Sequence, residues 1–232
     1  MKKLLKILIF LSLIGISIAL LFVGNGYNMY KEALKNTPLN EKVLEIRKKE
    51  NYTKFSELPP MYVNAVISVE DKRFFKHNGI DILAIGRAAI NDIKEMAYVE
   101  GGSTITQQLA KNMYFTQEKK MIRKVAEMFM AFKIEKNYSK EDIFELYVNT
   151  IYFGDGYYSV KEAAKGYFNK ELDELTNGEC ILLAGIPNAP SVYAPTKNKE
   201  LSIKRQKQVI DKMIENKFLT KDEANEILEQ AE

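Results

Sequence analysis

Seventeen consecutive residues without a charge, Ile7 to Val23, follow Lys2, Lys3 and Lys6 at the start of the chain. No other feature constrains the fold as strongly, because a single segment in hydrocarbon must satisfy its own backbone hydrogen bonds and therefore has to be helical. The run is at the short end for a bilayer span, and Leu4 and Leu5 lengthen it once Lys6 snorkels to the headgroups. A cleaved leader is the rival reading. Against it, the run exceeds a usual leader core and no A-x-A pattern follows, so an uncleaved single-pass anchor is expected. The lysines favour the cytoplasm, which places everything after Gly24 on the outer side. They also account for the whole net charge of +3. The balanced remainder argues against a general nucleic-acid binder. With Cys180 as the single cysteine, an intrachain disulfide is excluded, and its apolar setting CILLAG predicts a buried, inert thiol. His77 is the single histidine, which argues against a structural zinc site.

Beyond the anchor the pattern is helical. Tyr27 to Glu50 predicts a helical stalk broken at Thr37-Pro38. Leu58-Pro59-Pro60 introduces a helix whose apolar positions are Tyr62, Val63, Val66, Ile67 and Val69, proline being welcome in a first turn. Residues 81–99 alternate apolar and small side chains, a pattern that suits either a lipid-surface segment or core. From Lys119 to Tyr138 an apolar helix carries one polar stripe of Lys120, Arg123, Lys124 and Glu127. Capping-box spacing at Ser139/Asp142 and Thr220/Glu223 starts two further helices. Three more are predicted at Val160–Tyr167, Asn177–Ile186 and Leu201–Asn216, with YFGDGYY as a turn. Convincing strands are scarce, so the fold class is mainly α. The divisions are residues 1–24 (cytoplasmic lysines and anchor), 25–54 (stalk or linker) and 55–232 (main domain).

Two stretches look chemical. Glu100 to Glu127 opens on two glycines, continues through Ser103, Thr104, Thr106, Gln107, Gln108 and Lys111, and closes on Lys119, Lys120, Arg123, Lys124 and Glu127. A glycine turn, hydrogen-bonding groups and clustered cations suit a phosphorylated ligand. The same letters also describe a capping box, Thr104 with Gln107, ahead of a solvated charged face. Glu70 emerges from an apolar helix, and the spacing puts it on one face with Phe74 and His77. Desolvation there raises a carboxyl pKa toward the range of a general base. A surface acid paired with Lys72 or Arg73 is the plainer alternative.

Five blocks in order then resemble one family, the peptidoglycan glycosyltransferases found as monofunctional membrane-anchored enzymes and as the first domain of class A penicillin-binding proteins. They are Glu70-Asp71-x-x-Phe74-x-x-His77-x-Gly79, Gly101 to Asn112, Arg123-Lys124-x-x-Glu127, Lys140 to Gly154, and Ala163 to Lys170 with Ile186 to Pro195. The resemblance covers roughly residues 55 to 215 and implies a lysozyme-like helical fold with a small membrane-facing jaw, to which residues 81–99 correspond. It implies lipid II and the growing glycan strand as substrates, with inversion at the anomeric carbon and release of undecaprenyl pyrophosphate. By the same resemblance Glu70 is the general base, while Glu127 orients the donor or helps hold a divalent cation, Mg2+ or Mn2+. Lys111, Lys119, Arg123 and Lys124 neutralise the leaving group. Ser103, Thr104, Gln107 and Gln108 hydrogen-bond the donor. Phe74 and His77 shape the Glu70 helix, with His77 as a second base the lesser alternative. No organic cofactor is implied. Other cell-wall synthesis proteins are expected partners, and a bacterial cell membrane the location. Three positions depart from the family pattern: Ser159 and Asn169 replace glycines, and Lys119 stands where arginine is common. Asn tolerates the left-handed region, so a small local effect is expected there.

A lysozyme-like glycan hydrolase and a non-catalytic lipid II-binding scaffold are the rival functions. Hydrolysis has no need of four cations at a leaving group, and a scaffold has no need of both Glu70 and Glu127.

Overall fold

The computed structural model describes residues 2–95, 101–116 and 121–229. The first helix, α1 (Lys2–Asn36), runs unbroken for 35 residues, about 52 Å at the helical rise. It is long and apolar enough to cross a membrane. Pro38 ends it, lacking the N–H that a continuing helix needs, and α2 (Leu39–Arg47) follows. The main body contains α3 (Pro60–Glu70), α4 (Ile82–Glu95), α5 (Ile105–Tyr114), α6 (Met121–Asn137) and α7 (Lys140–Val148). It closes with α8 (Val160–Phe168), α9 (Asn177–Gly185), the single turn α10 (Pro190–Tyr193), α11 (Lys199–Glu215) and α12 (Lys221–Glu229). Among the described residues there is no strand, only an isolated bridge between Gly154 and Tyr157.

The helix starts follow from their caps. Thr104, Ser139, Ser159, Thr176 and Asn198 each accept a hydrogen bond from a backbone N–H in the first turn of α5, α7, α8, α9 and α11. Ser159 thus has a reason to replace the family's glycine, since its hydroxyl caps α8 through Glu162 N. Asn169 ends the same helix in the left-handed region at φ 54°, where glycine or asparagine costs least. The YFGDGYY segment is a turn, with positive φ at Gly154, Asp155 and Gly156.

The core centres on α3, which packs against α9 and α11, while α5 joins it to α6 and α7. Phe74, Phe144, Tyr147, Phe153 and Tyr62 are its largest buried members, and Cys180 lies buried among them. Residues 25–54, which the sequence divides off as a stalk, pack onto this body. Leu39, Val43 and Ile46 are buried in its core, and Tyr27 and Tyr30 stack against Phe129 of α6 with ring centres 5.2 and 5.9 Å away. Buried Gly26 lets α1 approach α6 closely, since a Cβ there would stand 2.5 Å from Val125 Cβ and 3.0 Å from Ile122 O. By contrast, α4 leaves Ile82 (79% exposed), Leu83, Ile85 and Ile90 on the surface, so most of this segment is not core.

Gly26→Val is therefore expected to overpack the α1–α6 contact at a cost of ~1–3 kcal/mol. Gly24→Val, with nothing within 4 Å, serves as a neutral control in thermal unfolding of the detergent-solubilised chain. At the α8 terminus, Asn169→Gly should hold or raise stability, whereas Asn169→Ala should lose ~1–2 kcal/mol in denaturant titrations.

Candidate active site

Glu70 is the last residue of α3, and the reason the helix stops is its neighbour. Asp71 leaves helical geometry at φ −158° and turns its buried carboxylate inward. That carboxylate accepts a hydrogen bond of 3.0 Å from Ile105 N, the first residue of α5. It also meets His77 Nε2 at 2.9 and 3.1 Å. Because Gly79 N donates to His77 Nδ1 (3.2 Å), the His77 proton sits on Nε2 and is given to Asp71. His77 is thereby committed to holding a loop. Phe74 and His77 do not share a helix face with Glu70, because residues 74–76 form a separate 3-10 turn; the satisfied Asp71 carboxylate is the physical cause of that break.

The start of α5 is fixed from the same direction. Thr104 Oγ1 donates to Gly79 O (2.7 Å) and accepts from Gln107 N (3.1 Å), while Gln107 Oε1 accepts from Thr104 N (3.1 Å). Both side chains are buried, and their polar groups face the protein. Gln108, one residue on, points toward Glu70. Its Nε2 donates to Glu70 Oε2 at 2.8 Å, and its Oε1 faces the hydroxyl of buried Tyr147 at 3.4 Å. The other Glu70 oxygen, Oε1, is buried and has no hydrogen-bond partner among the described residues. Burial pushes the Glu70 carboxyl above its ordinary 4.5, and the Asp71 charge adds to that. The Gln108 hydrogen bond, Arg205 and Lys111 pull the other way without cancelling it.

Lys111 lies one turn beyond Gln108 on α5. Burial lowers its ammonium pKa, partly offset by Glu127 and Glu70, so one lysine senses both acids. On α6, Glu127 is almost wholly buried (1% exposed) and gripped from two sides. Arg123 Nε stands 2.8 Å from its Oε1, and Lys124 Nζ stands 2.9 Å from its Oε2. Lys124 Nζ also donates to Ser103 Oγ at 2.6 Å, and Arg123 Nη1 donates to Thr116 O at 2.9 Å. The i, i+3 and i, i+4 spacing places these groups on one face of α6, while tertiary packing buries the acid.

Glu70, Ser103, Gln108, Lys111, Arg123, Lys124 and Glu127 thus share one neighbourhood. Thr104 and Gln107 support it from inside. Lys119 and Lys120 fall in residues 117–120, outside the described residues. Arg205 of α11 joins the site through its charge on Glu70. Its Nε donates to Gly185 O (3.3 Å) and its guanidinium lies over Tyr193. Nothing in the sequence near Arg205 signals that role, since it stands 135 positions from Glu70. Among the described residues no three His, Cys, Asp or Glu converge, and both Glu127 oxygens already face cations.

The family profile described as "Transglycosylase" matches residues 36–214. The chain belongs to the transglycosylase family. Penicillin-binding protein 1A of Neisseria gonorrhoeae is 43% identical over 179 residues, covering 77% of this chain and 22% of that protein. Penicillin-binding protein 1F of Bacillus subtilis (strain 168) is 43% identical over 169 residues, covering 73% and 24%. Penicillin-binding protein 1A of Aquifex aeolicus (strain VF5) is 42% identical over 175 residues, covering 75% and 24%. The chain spans about a quarter or less of the length of these curated relatives. The matched region is the mainly helical, lysozyme-like domain of the transglycosylase family.

A raised Glu70 pKa has a definite sign in stability. The protonated carboxyl is tolerated below pH 4.5, and stability is withdrawn as pH rises through the elevated pKa. Glu70→Gln stays neutral throughout. The transglycosylase variant should therefore melt above its parent at pH 8, with the gap closing as pH is lowered toward 4.5; a gap independent of pH contradicts the burial argument.

Proposed function

We propose that this transglycosylase polymerises lipid II, with Glu70 as the general base. The observation that carries the proposal is the half-satisfied Glu70 carboxyl, one oxygen bonded to Gln108 and the other buried without a partner, in the neighbourhood of the Lys111 and Lys124 charges. In the proposed step the 4-hydroxyl of one sugar unit attacks the anomeric carbon of the growing chain. The new O–C bond forms as the bond from carbon to pyrophosphate oxygen breaks. The hydroxyl proton passes to Glu70, and the electron pair leaves with undecaprenyl pyrophosphate. Charge grows on that departing oxygen in the transition state, so preorganised cations there lower the barrier more than they aid binding. Lys111, Arg123 and Lys124 fill this role, with Lys119 as a further proposed member. Glu127 holds Arg123 and Lys124 in place, and Ser103 and Gln108 present polar atoms at the edge of the site.

The membrane completes the reading. We place α1 across the bilayer with the domain on the outer side, and the exposed apolar face of α4 against the lipid surface as the jaw. A lipid-linked substrate diffuses in two dimensions, so an enzyme held at that surface meets it at high local concentration.

The tests use lipid II and the full chain. Glu70→Gln should lower polymerisation by at least ~100-fold, the usual scale for a lost general base, with an unchanged far-ultraviolet spectrum. Near-normal turnover would remove Glu70 from that role. In kcat/KM against pH, the acid limb should fall above 4.5. Gln108→Ala, which deletes a bond favouring the ionised form, should move the limb to higher pH. Fragments from finished glycan would indicate a hydrolase, and tight binding without product a scaffold.

A further inference from the structure

Away from the transfer site, α1 and α6 enclose a groove of about 860 Å³. It occupies the side of α6 remote from Glu127. Its apolar lining is Leu34 with the rings of Tyr27, Tyr30, Phe129 and Phe132, and its charged lining is Lys31, Lys35, Lys133 and Lys136 against the single acid Glu32. None of these four lysines is ion-paired among the described residues. Four cations without an ion-pair partner among the described residues, against the single acid Glu32, give the aromatic trough an excess of positive charge.

Its height is set by the helix. No charge occurs between Lys6 and Lys31. At 1.5 Å per residue, ~30 Å of hydrocarbon that begins between Leu4 and Lys6 ends between Gly24 and Gly26. Gly26 is where α1 meets α6, and the two helices then run side by side away from the bilayer, with Phe129 against Tyr27 and Tyr30. The two tyrosines therefore stand at the interfacial level, where amphipathic rings are favoured. Lys31 is about 7 Å higher on the same rise, within reach of headgroup phosphates, and Lys35 and Lys133 are about a turn beyond it.

We infer that this groove binds the headgroup of an anionic phospholipid, the phosphate held between Lys31 and Lys133 and the glycerol and upper acyl chain lying over the Tyr27–Phe129 rings. A second copy of the chain fits poorly, since it would bring four like charges to the same place. The function is to fix the angle at which the domain sits on the membrane. The inference rests on α1 spanning the bilayer but not on the transfer chemistry.

The chain has no tryptophan, so a single Phe132→Trp in the full chain, reconstituted in vesicles, reports on the groove alone. Dibrominated phosphatidylglycerol should quench it at a lower mole fraction than dibrominated phosphatidylcholine. Each basic residue near an anionic surface contributes about fivefold in affinity. Adding Lys133→Gln and Lys136→Gln should therefore cut the preference by roughly 25-fold, while Lys48→Gln and Lys49→Gln should leave it unchanged. Equal quenching by both lipids, a preference that survives the lysine changes, or a protein-concentration-dependent spectral shift without quenching would each overturn the inference. Phe10→Trp, quenched by both lipids, separates this from failure of the anchor itself.

Discussion

The Asp71 carboxylate is the interaction on which the transglycosylase site depends. It takes the helix end of α3, the His77 ring and the first N–H of α5 into one buried contact. An anion at a helix N-terminus is favoured by the unpaired amides there, and here the anion is provided by a residue adjacent to the candidate base. Glu70 and Gln108 consequently belong to two elements that are held together, and their side chains meet in a 2.8 Å hydrogen bond. Thr104, bonded to Gly79 O, closes the same loop from the other side.

Charge is then divided between two regimes. Glu70 has one of its two carboxyl oxygens hydrogen-bonded and sits where burial dominates, so its proton affinity rises. Glu127 is more deeply buried but has a cation on each oxygen. Two acids of one type are thereby made different by their surroundings: burial raises the proton affinity of Glu70, while Glu127 holds a cation at each oxygen. Lys111 couples the two, since its charge acts on both. Removing either partner from such a pair costs more than the pair contributes, because a buried charge is left alone.

The N-terminal helix belongs to the same packed arrangement. The continuous α1, its close contact at Gly26 and the Tyr27–Tyr30–Phe129 cluster mean that α6, which carries Arg123, Lys124 and Glu127, is packed directly on the long apolar helix. The position of the site relative to α1 is therefore a property of helix packing. The boundary drawn from composition near residue 54 does not reveal this, because Leu39, Val43 and Ile46 bury their side chains only once α7 and its neighbours provide a surface.

Sequence alone determined the mainly helical class, the caps at Thr104, Ser139 and Thr220, the left-handed Asn169 and the membership of the Glu70 and Gly101–Glu127 blocks in one family pattern. All of these rest on short-range rules: hydrogen bonds within a turn, apolar period, and residue identity. The one-face placement of Glu70, Phe74 and His77 went astray because helical spacing continues through Asp71 on paper, whereas a contact with Ile105, 34 positions away, ends the helix. Likewise, nothing local distinguishes the inward-facing Gln107 from the outward-facing Gln108, or singles out Arg205. Only the tertiary structure decided those, because burial and long-range charge are set by which helices come together.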